Sequence, residues 1–262
     1  MSRESGRLTV LHISDVHATA DGRLYDRVDG VERLRAVGDY ARDAGVTPEA
    51  IVVTGDLIQR GNPDAYPRLE AALDDLERAA GVPVLTVLGN HDDARAARGM
   101  RRHAGGHHRI EHIAGMRFAL LDSSTGALGA EQTDWLREQL REPYGAGTVV
   151  ALHHPPLGSP LPTLAKAGLA DAGALLDVLA GSDALAVLAG HFHHPLSATL
   201  RGVPVSVGPA LAYHQVMNAG PDVVAGHDQA MFSLVHLLPG GVAATSISLD
   251  SPAPLFTQPV TA

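Results

Sequence analysis

The chain has 262 residues, a formal net charge of −9, no cysteine, and 45% hydrophobic against 19% charged residues. It is long and apolar enough to bury a sizeable core, which excludes a disordered chain, a disulfide framework and a thiolate zinc site. The acidic balance argues against a broad surface for nucleic acid or anionic lipid, although one metal-rich pocket can still hold an anion. No cationic apolar leader opens the sequence, and no run approaches the ~20 apolar residues of a membrane span, so the cytoplasm is the expected compartment.

In chain order, an apolar β-prone run at 7–13 leads into Ser14-Asp15-Val16-His17, and helical spacing of Val31, Leu34, Val37, Tyr40 and Ala41 predicts a helix over about 30–44. A strand at 50–53 runs into "TGDLIQRG", a helix follows over about 64–80, and a strand at 82–88 ends in "GNHDD". A strand at 116–121 and a helix over about 130–141, carrying Trp135, Leu136 and Leu140, come next. Then come a strand at 148–152 ending in "HHPP", a helix over about 171–180, and a strand at 184–189 ending in "GHFHH". Strands at 196–200, 203–207, 231–237 and 241–249 have no helices between them.

Strands alternating with helices imply a largely parallel sheet. The strand at 116–121 and the four at 196–249 imply a second, partly antiparallel sheet packed on it. The expected class is α/β, with two packed mixed sheets flanked by helices. Nothing reads as a linker or repeat, so one domain is expected over 1–262, with a loose tail from 252 to 262.

Fifteen histidines are many for this length. Five polar clusters stand at strand ends, where α/β folds place their sites. Singly, each has an ordinary explanation: "DVH" by chance, "GD" as a turn, "HHPP" as an extended loop start. Together they converge. Asp15 and His17 lie two apart and can face one way in an extended segment, as can His191 and His193. With Asp56, Asn90 and His153 these are seven nitrogen and oxygen donors, too many for one tetrahedral ion and suited to two ions sharing a carboxylate. Two such ions about 3.5–4 Å apart suit in-line displacement at phosphorus: they clamp the phosphate oxygens and turn a bridging water into hydroxide. Such a reaction benefits from an acid beside the leaving oxygen, a role suited to histidine.

The series "DVH", "GD", "GNHD", "HH", "GHFH", spread over about residues 8–194, resembles the calcineurin-like metallophosphoesterase superfamily. The resemblance implies an αββα sandwich. It implies one ion held by Asp15, His17, Asp56 and His193 and a second by Asp56, Asn90, His153 and His191, with Asp56 as the bridge. His153 is preferred to His154 because the superfamily ligand stands two residues before a proline. His91 resembles the non-ligand histidine that protonates the leaving group, with Asp92 as its orienting partner. Gln59 stands where the protein phosphatases of this superfamily have aspartate.

The segments 22–37, 55–66, 151–156 and 189–210 are similar to bacterial class III cyclic nucleotide phosphodiesterases. That similarity implies hydrolysis of 3′,5′-cyclic AMP to 5′-AMP, two Fe or Mn ions with Zn or Co as alternatives, a small cyclic nucleotide as partner and a homodimer. The competing readings are a phosphodiesterase for 2′,3′-cyclic nucleotides or glycerophosphodiesters, and an inactive metal-binding scaffold. A scaffold would be expected to lose ligands, and none is missing here.

Tyr25, Tyr66, Tyr213 and Phe192 read as core residues, with a base pocket as the alternative. His194 and His214 read as loop residues that could sit near the site. Asp93 reads as a helix N-terminal acid. His103, His107, His108 and His112, around "RGMRRH", read as a solvated loop, with a substrate-facing edge as the alternative.

Overall fold

A computed structural model describes residues 8–238, 240–250 and 253–258. The first sheet has the strand order β13-β12-β1-β2-β3. Its strands are β1 (Leu8–Ile13), β2 (Ala50–Thr54), β3 (Val84–Val87), β12 (Met231–Leu238) and β13 (Gly241–Ser248). β1, β2 and β3 are parallel, and β12 and β13 extend the edge antiparallel. The second sheet is ordered β4-β5-β6-β7-β9-β8. It contains β4 (Arg109–Ile113), β5 (Met116–Leu120), β6 (Thr148–Ala151), β7 (Ala184–Ala189), β8 (Leu196–Leu200) and β9 (Val203–Val207). Here β5, β6, β7 and β9 are parallel, with β4 and β8 antiparallel at the two edges.

Sheet membership differs from the sequence expectation. β6 and β7, expected beside β1 to β3, belong to the second sheet, and β12 and β13, expected there, complete the first. Alternating strands and helices predict parallel pairing but carry no signal for where one sheet stops and the next begins.

The central strands of both sheets are buried on both faces, which is why they read as continuous apolar runs, whereas the edge strands β4, β8 and β13 are partly exposed. Alternate residues of each strand point in opposite directions. Leu11, Ile13, Ile51 and Val53 face α1 (Gly30–Asp43) and α2 (Tyr66–Ala80), packing on Leu34, Val37, Leu69 and Leu73. Val10, Val52 and Val87 face the other way and meet Phe118, Leu120, Val149 and Leu188 between the sheets. Ala119, Val150 and Val187 cover the outer face of the second sheet with α4 (Gly129–Gln139) and α5 (Ala172–Leu179). The result is four layers, helix, sheet, sheet, helix.

Local sequence sets the helix ends. Asp29 caps α1 by accepting from the Val31 and Glu32 amides, and Gly81 ends α2 in the left-handed conformation at φ 67°. Asp93 caps the single turn α3 (Ala94–Ala97) by accepting from Ala96 N at 2.9 Å, as its position predicts. Two short strands, β10 (His214–Gln215) and β11 (Gly226–His227), form a separate ribbon. Residues 253–258 lie outside any helix or strand and are exposed, whereas 251–252 and 259–262 of the expected tail lie outside the described residues. Among the described residues no helix is long and apolar enough to cross a membrane.

The basic stretch is solvated only in part: Arg98, Arg101, His108 and His112 are exposed, whereas Arg102 and His103 are not. Arg102 is buried and paired to Glu70, Asp74 and Glu77 of α2 at 2.8–2.9 Å. His103 is buried against Thr86 Oγ1 at 2.9 Å. His107 lies 3.3 Å from His103 between their Nδ1 atoms, His108 packs edge-on to Trp135, and His112 lies on β4 against Tyr144. An acidic helix face opposite the loop decides this, and local composition does not report it.

A second buried ion pair ties the second sheet to its helices. Arg117 on β5 binds Asp183 at 2.8 and 2.9 Å, Thr148 Oγ1 at 2.7 Å and the carbonyl of Glu142. Removing the cation strands a nearly buried carboxylate. Arg117→Ala should therefore cost about 3–5 kcal/mol. Urea unfolding measures this, and the Arg117→Ala, Asp183→Ala double variant should lose less than the sum of the two single losses.

Candidate metal centre

The candidate ligands leave the C-terminal ends of parallel strands in both sheets, where the two sheets meet. Asp15 and His17 follow β1, Asp56 follows β2, Asn90 and His91 follow β3, His153 follows β6, and His191 and His193 follow β7. The loops are laced together: Asp15 N donates to Gly55 O, His17 N to Asp56 O, and Gly190 N to His153 O, at 2.9–3.1 Å.

The backbone here is strained. Among the described residues nine non-glycine positions have positive φ, and five of them are Asp15, His17, Asp56, His191 and His193. Each such residue costs of order 1–3 kcal/mol, and clustering of this kind marks functional sites. The preceding glycines serve two purposes. Gly55 has φ 85°, so it supplies the turn. Gly89 and Gly190 have ordinary φ and are needed for close approach. A Cβ on Gly89 would lie 2.3 Å from Asp56 N and Oδ1, and one on Gly190 would lie 1.8 Å from Ser14 Oγ.

Three imidazoles are held in one tautomer by acceptors on their outer side. His17 Nδ1 donates to Gln59 Oε1 at 2.9 Å, His153 Nδ1 to Thr54 O at 2.8 Å, and His193 Nδ1 to Tyr213 O at 3.0 Å. Each is left with an Nε2 lone pair pointing inward. His17 Nε2 and His193 Nε2 stand 3.2 Å apart. His153 Nε2 lies 3.1 Å from both Asn90 Oδ1 and His191 Nδ1.

The carboxylates are divided in the same way. Asp15 Oδ2 accepts from His191 N at 3.1 Å and Asp56 Oδ1 from His91 N at 2.8 Å. Asp15 Oδ1 is buried without a hydrogen-bond partner, 3.3 Å from His193 Nε2. Asp56 Oδ2 stands 3.6 Å from His17 Nε2 and 3.5 Å from His153 Nε2, between the two groups of donors. Lone pairs facing one another in a buried pocket repel unless a cation lies among them. The donor set therefore fits metal: Asp15, His17, Asp56 and His193 form one group able to hold an ion, and His153, His154 and His191 form another.

Protonation follows this geometry. Burial lowers the His17 ring to about 4 and the His191 ring to about 3, so both are unprotonated donors at neutral pH. Burial opposes ionisation of Asp15 and Asp56, yet their histidine neighbours, His193 and His153 first, hold both below the usual carboxylate range. His153 is the exception: burial pulls it down, but Asp56 overrides burial and lifts it to about 9. Proton and metal compete for that one nitrogen.

His153 and His154 differ in direction. His153 faces Asp56 and Asn90, whereas His154 Nδ1 turns to Ser123 Oγ at 3.3 Å, although its ring lies 4.4 Å from that of His191. His91 is half-buried with its ring 4.7 Å from that of His17, and its Nδ1 accepts from Arg60 N at 3.4 Å. Asp92 does not turn to His91. Its carboxylate accepts from the amides of Leu57, Ile58 and Gly89 and from the Tyr66 hydroxyl, at 2.8–3.2 Å, and so ties the loop after β2 to the loop after β3. Those amides had first claim on it, and they left no signature in side-chain spacing. Tyr66 and Phe192 are core residues, and His194 is buried against Ser159 Oγ at 2.8 Å, away from the centre. His214 is half-buried on β10, its Nδ1 donating to Gln215 O at 2.8 Å. Gln59 is the one orienting group with a signal in the sequence, as the glutamine standing in an aspartate's place.

The chain matches the family "Calcineurin-like phosphoesterase" over residues 8–195 and belongs to it. It is 38% identical to a probable cyclic nucleotide phosphodiesterase of Rhodococcus erythropolis over 87% of this chain and 79% of that one. It is also 38% identical to a cAMP/cGMP dual specificity phosphodiesterase of Mycobacterium tuberculosis, over 92% and 79%. Among solved structures, a dimetal phosphatase from Danio rerio shares the fold at TM-score 0.62 and 18% identity, covering 93% of this chain and 99% of that one.

Asp56→Ala should strip both metals, since its Oδ2 lies between the two donor groups; metal analysis of the purified variant finding two ions per chain would refute the bridge. Gly190→Ala should lower bound metal at least tenfold with its circular dichroism spectrum retained, because the new methyl displaces Ser14 and Asp15 while the core stays intact.

Proposed function

We propose that this calcineurin-like phosphoesterase is a metal-dependent phosphodiesterase of cyclic nucleotides, converting 3′,5′-cyclic AMP to 5′-AMP. The observation that carries the reading is Asp56 Oδ2, set within 3.6 Å of donors on either side and aligned for two ions. The names of the two relatives at 38% identity support the substrate class. Asp15, His17, Asp56 and His193 would hold one ion and Asp56, Asn90, His153 and His191 the other, a nitrogen and oxygen set suited to Fe or Mn and also to Zn or Co. When bound, such a pair supplies charge stabilisation for the phosphate oxygens and a water acidic enough to attack at neutral pH.

The chain's own residues do the rest. Gln59, Thr54 and Tyr213 accept from the Nδ1 atoms of His17, His153 and His193 and so turn the Nε2 atoms inward, and the His91 and His191 amides leave each carboxylate one free oxygen. The Arg60 amide occupies His91 Nδ1, so the proton of that ring sits on Nε2, available to the leaving 3′ oxygen. Burial lowers the His91 pKa, and an anionic diester beside it acts in the opposite direction.

The test is turnover of 3′,5′-cyclic AMP with Mn²⁺ added, with bis(p-nitrophenyl) phosphate as a second substrate and Asp56→Ala as the blank. Cleavage of the nitrophenyl diester with cyclic AMP untouched would discard the substrate reading. His91→Ala should retain both metals and lose about 10²–10⁴-fold in kcat on cyclic AMP. Its loss on the nitrophenyl diester should be smaller, because that leaving group needs no proton. An equal loss on both would remove His91 from the acid role.

A further inference from the structure

Beside the metal centre lies a cavity of about 400 Å³ whose wall includes Tyr25, Tyr213, Arg27, His227 and Asp228. That volume suits a small ligand. Tyr213 joins cavity to centre: its ring lies 4.1 Å from that of His193 and 5.9 Å from that of His17. The Gly226 backbone packs closely on it: a Cβ there would stand 2.6 Å from Tyr213 Cδ2.

Tyr25 is different in kind. Its ring stands 5.8 Å from Tyr213 at 70°, and 67% of the residue is exposed. A lone exposed aromatic needs no explanation. This one, however, sits at φ 53° next to Asp26 at φ 59°, two consecutive left-handed residues that are not glycine. The strained turn is rigid: Leu24 and Val28 exchange two main-chain hydrogen bonds of 2.9 Å, and their side chains cluster with Ala212. A fixed turn thus holds a bare aromatic face at the mouth of a cavity, one ring away from a candidate ligand. The rim is polar, and the Asp228 carboxylate is immobilised by Arg33.

The geometry points to Tyr25 as the stacking platform for the nucleobase of the substrate, with Tyr213 as the fixed wall that sets its distance from the metals. This rests on the cyclic nucleotide reading and adds to it a residue that tells a cyclic nucleotide from a diester without a base. Every base has a π face, so stacking is sequence-tolerant and suits an enzyme accepting more than one base.

The experiment is calorimetric titration of the full-length, Mn²⁺-loaded protein with 5′-AMP and with ribose 5-phosphate, which share sugar and phosphate and differ by the base. The wild type should bind 5′-AMP at least tenfold more tightly. Tyr25→Ala should erase most of that preference by weakening 5′-AMP alone, with ribose 5-phosphate unchanged within twofold, and Tyr25→Phe should restore it. Equal affinities in the wild type, an unchanged preference in Tyr25→Ala, or equal weakening of both ligands would overturn the platform. Because the readout is binding, a protein that fails to cleave cyclic AMP yet prefers 5′-AMP through Tyr25 would lose the proposed reaction and keep the platform.

Discussion

The constraint on which the rest depends is a shortage of protons. Seven donors point into one small volume, and their outer hydrogen bonds leave almost nothing to share among them. His17 and His193 face each other nitrogen to nitrogen, and Asp15 Oδ1 has no hydrogen-bond partner among the described residues, with His193 Nε2 3.3 Å away. Such an arrangement is unfavourable without positive charge, so metal binding and local stability are linked. The fold tolerates it because five of the seven, Asp15, His17, Asp56, His153 and His193, are fixed from behind by a main-chain or amide group.

That fixing explains where the strain lies. The left-handed residues at 15, 17, 56, 191 and 193 turn each chain back sharply after its strand, so that side chains from two different sheets meet. Gly89 and Gly190 permit contacts that any side chain would block. The glycine-containing motifs are thus the steric terms of one packing problem, posed where two sheet edges come together.

Much of this was legible beforehand, because strand ends, glycines and metal-ligand residue types are all local signals. The four long helices and ten of the thirteen strands fall where the pattern places them, and the seven candidate donors lie near one another; β10 and β11 are too short to show a period, and the charged and histidine residues of β4 hide its alternation. Sheet membership was not legible, since β6 and β7 have the same local character as β1 and β2. Nor was Asp92, whose partners are amides, or Arg102, whose partners lie on a helix face more than twenty residues away. Tyr25 reads from the sequence as a core residue, with a base pocket only as the alternative; it is exposed, and its interest lies in a backbone angle and a neighbouring void that spacing does not report.

The topology also bears on how the chain reaches this state. The first sheet is founded by β1 near the start of the chain, yet its antiparallel edge is supplied by β12 and β13 from the far end. During synthesis β1, β2 and β3 emerge long before those partners, and the second sheet is completed in between. The nascent chain therefore carries an open strand edge through most of translation. The centre lacks three of its seven candidate donors until β6 and β7 have been made, so β12 and β13 join the first sheet beside a site that is by then fully supplied. Pairing over such separations carries a large loop-closure cost, and the β1–β12 ladder is the contact in the first sheet that bears it.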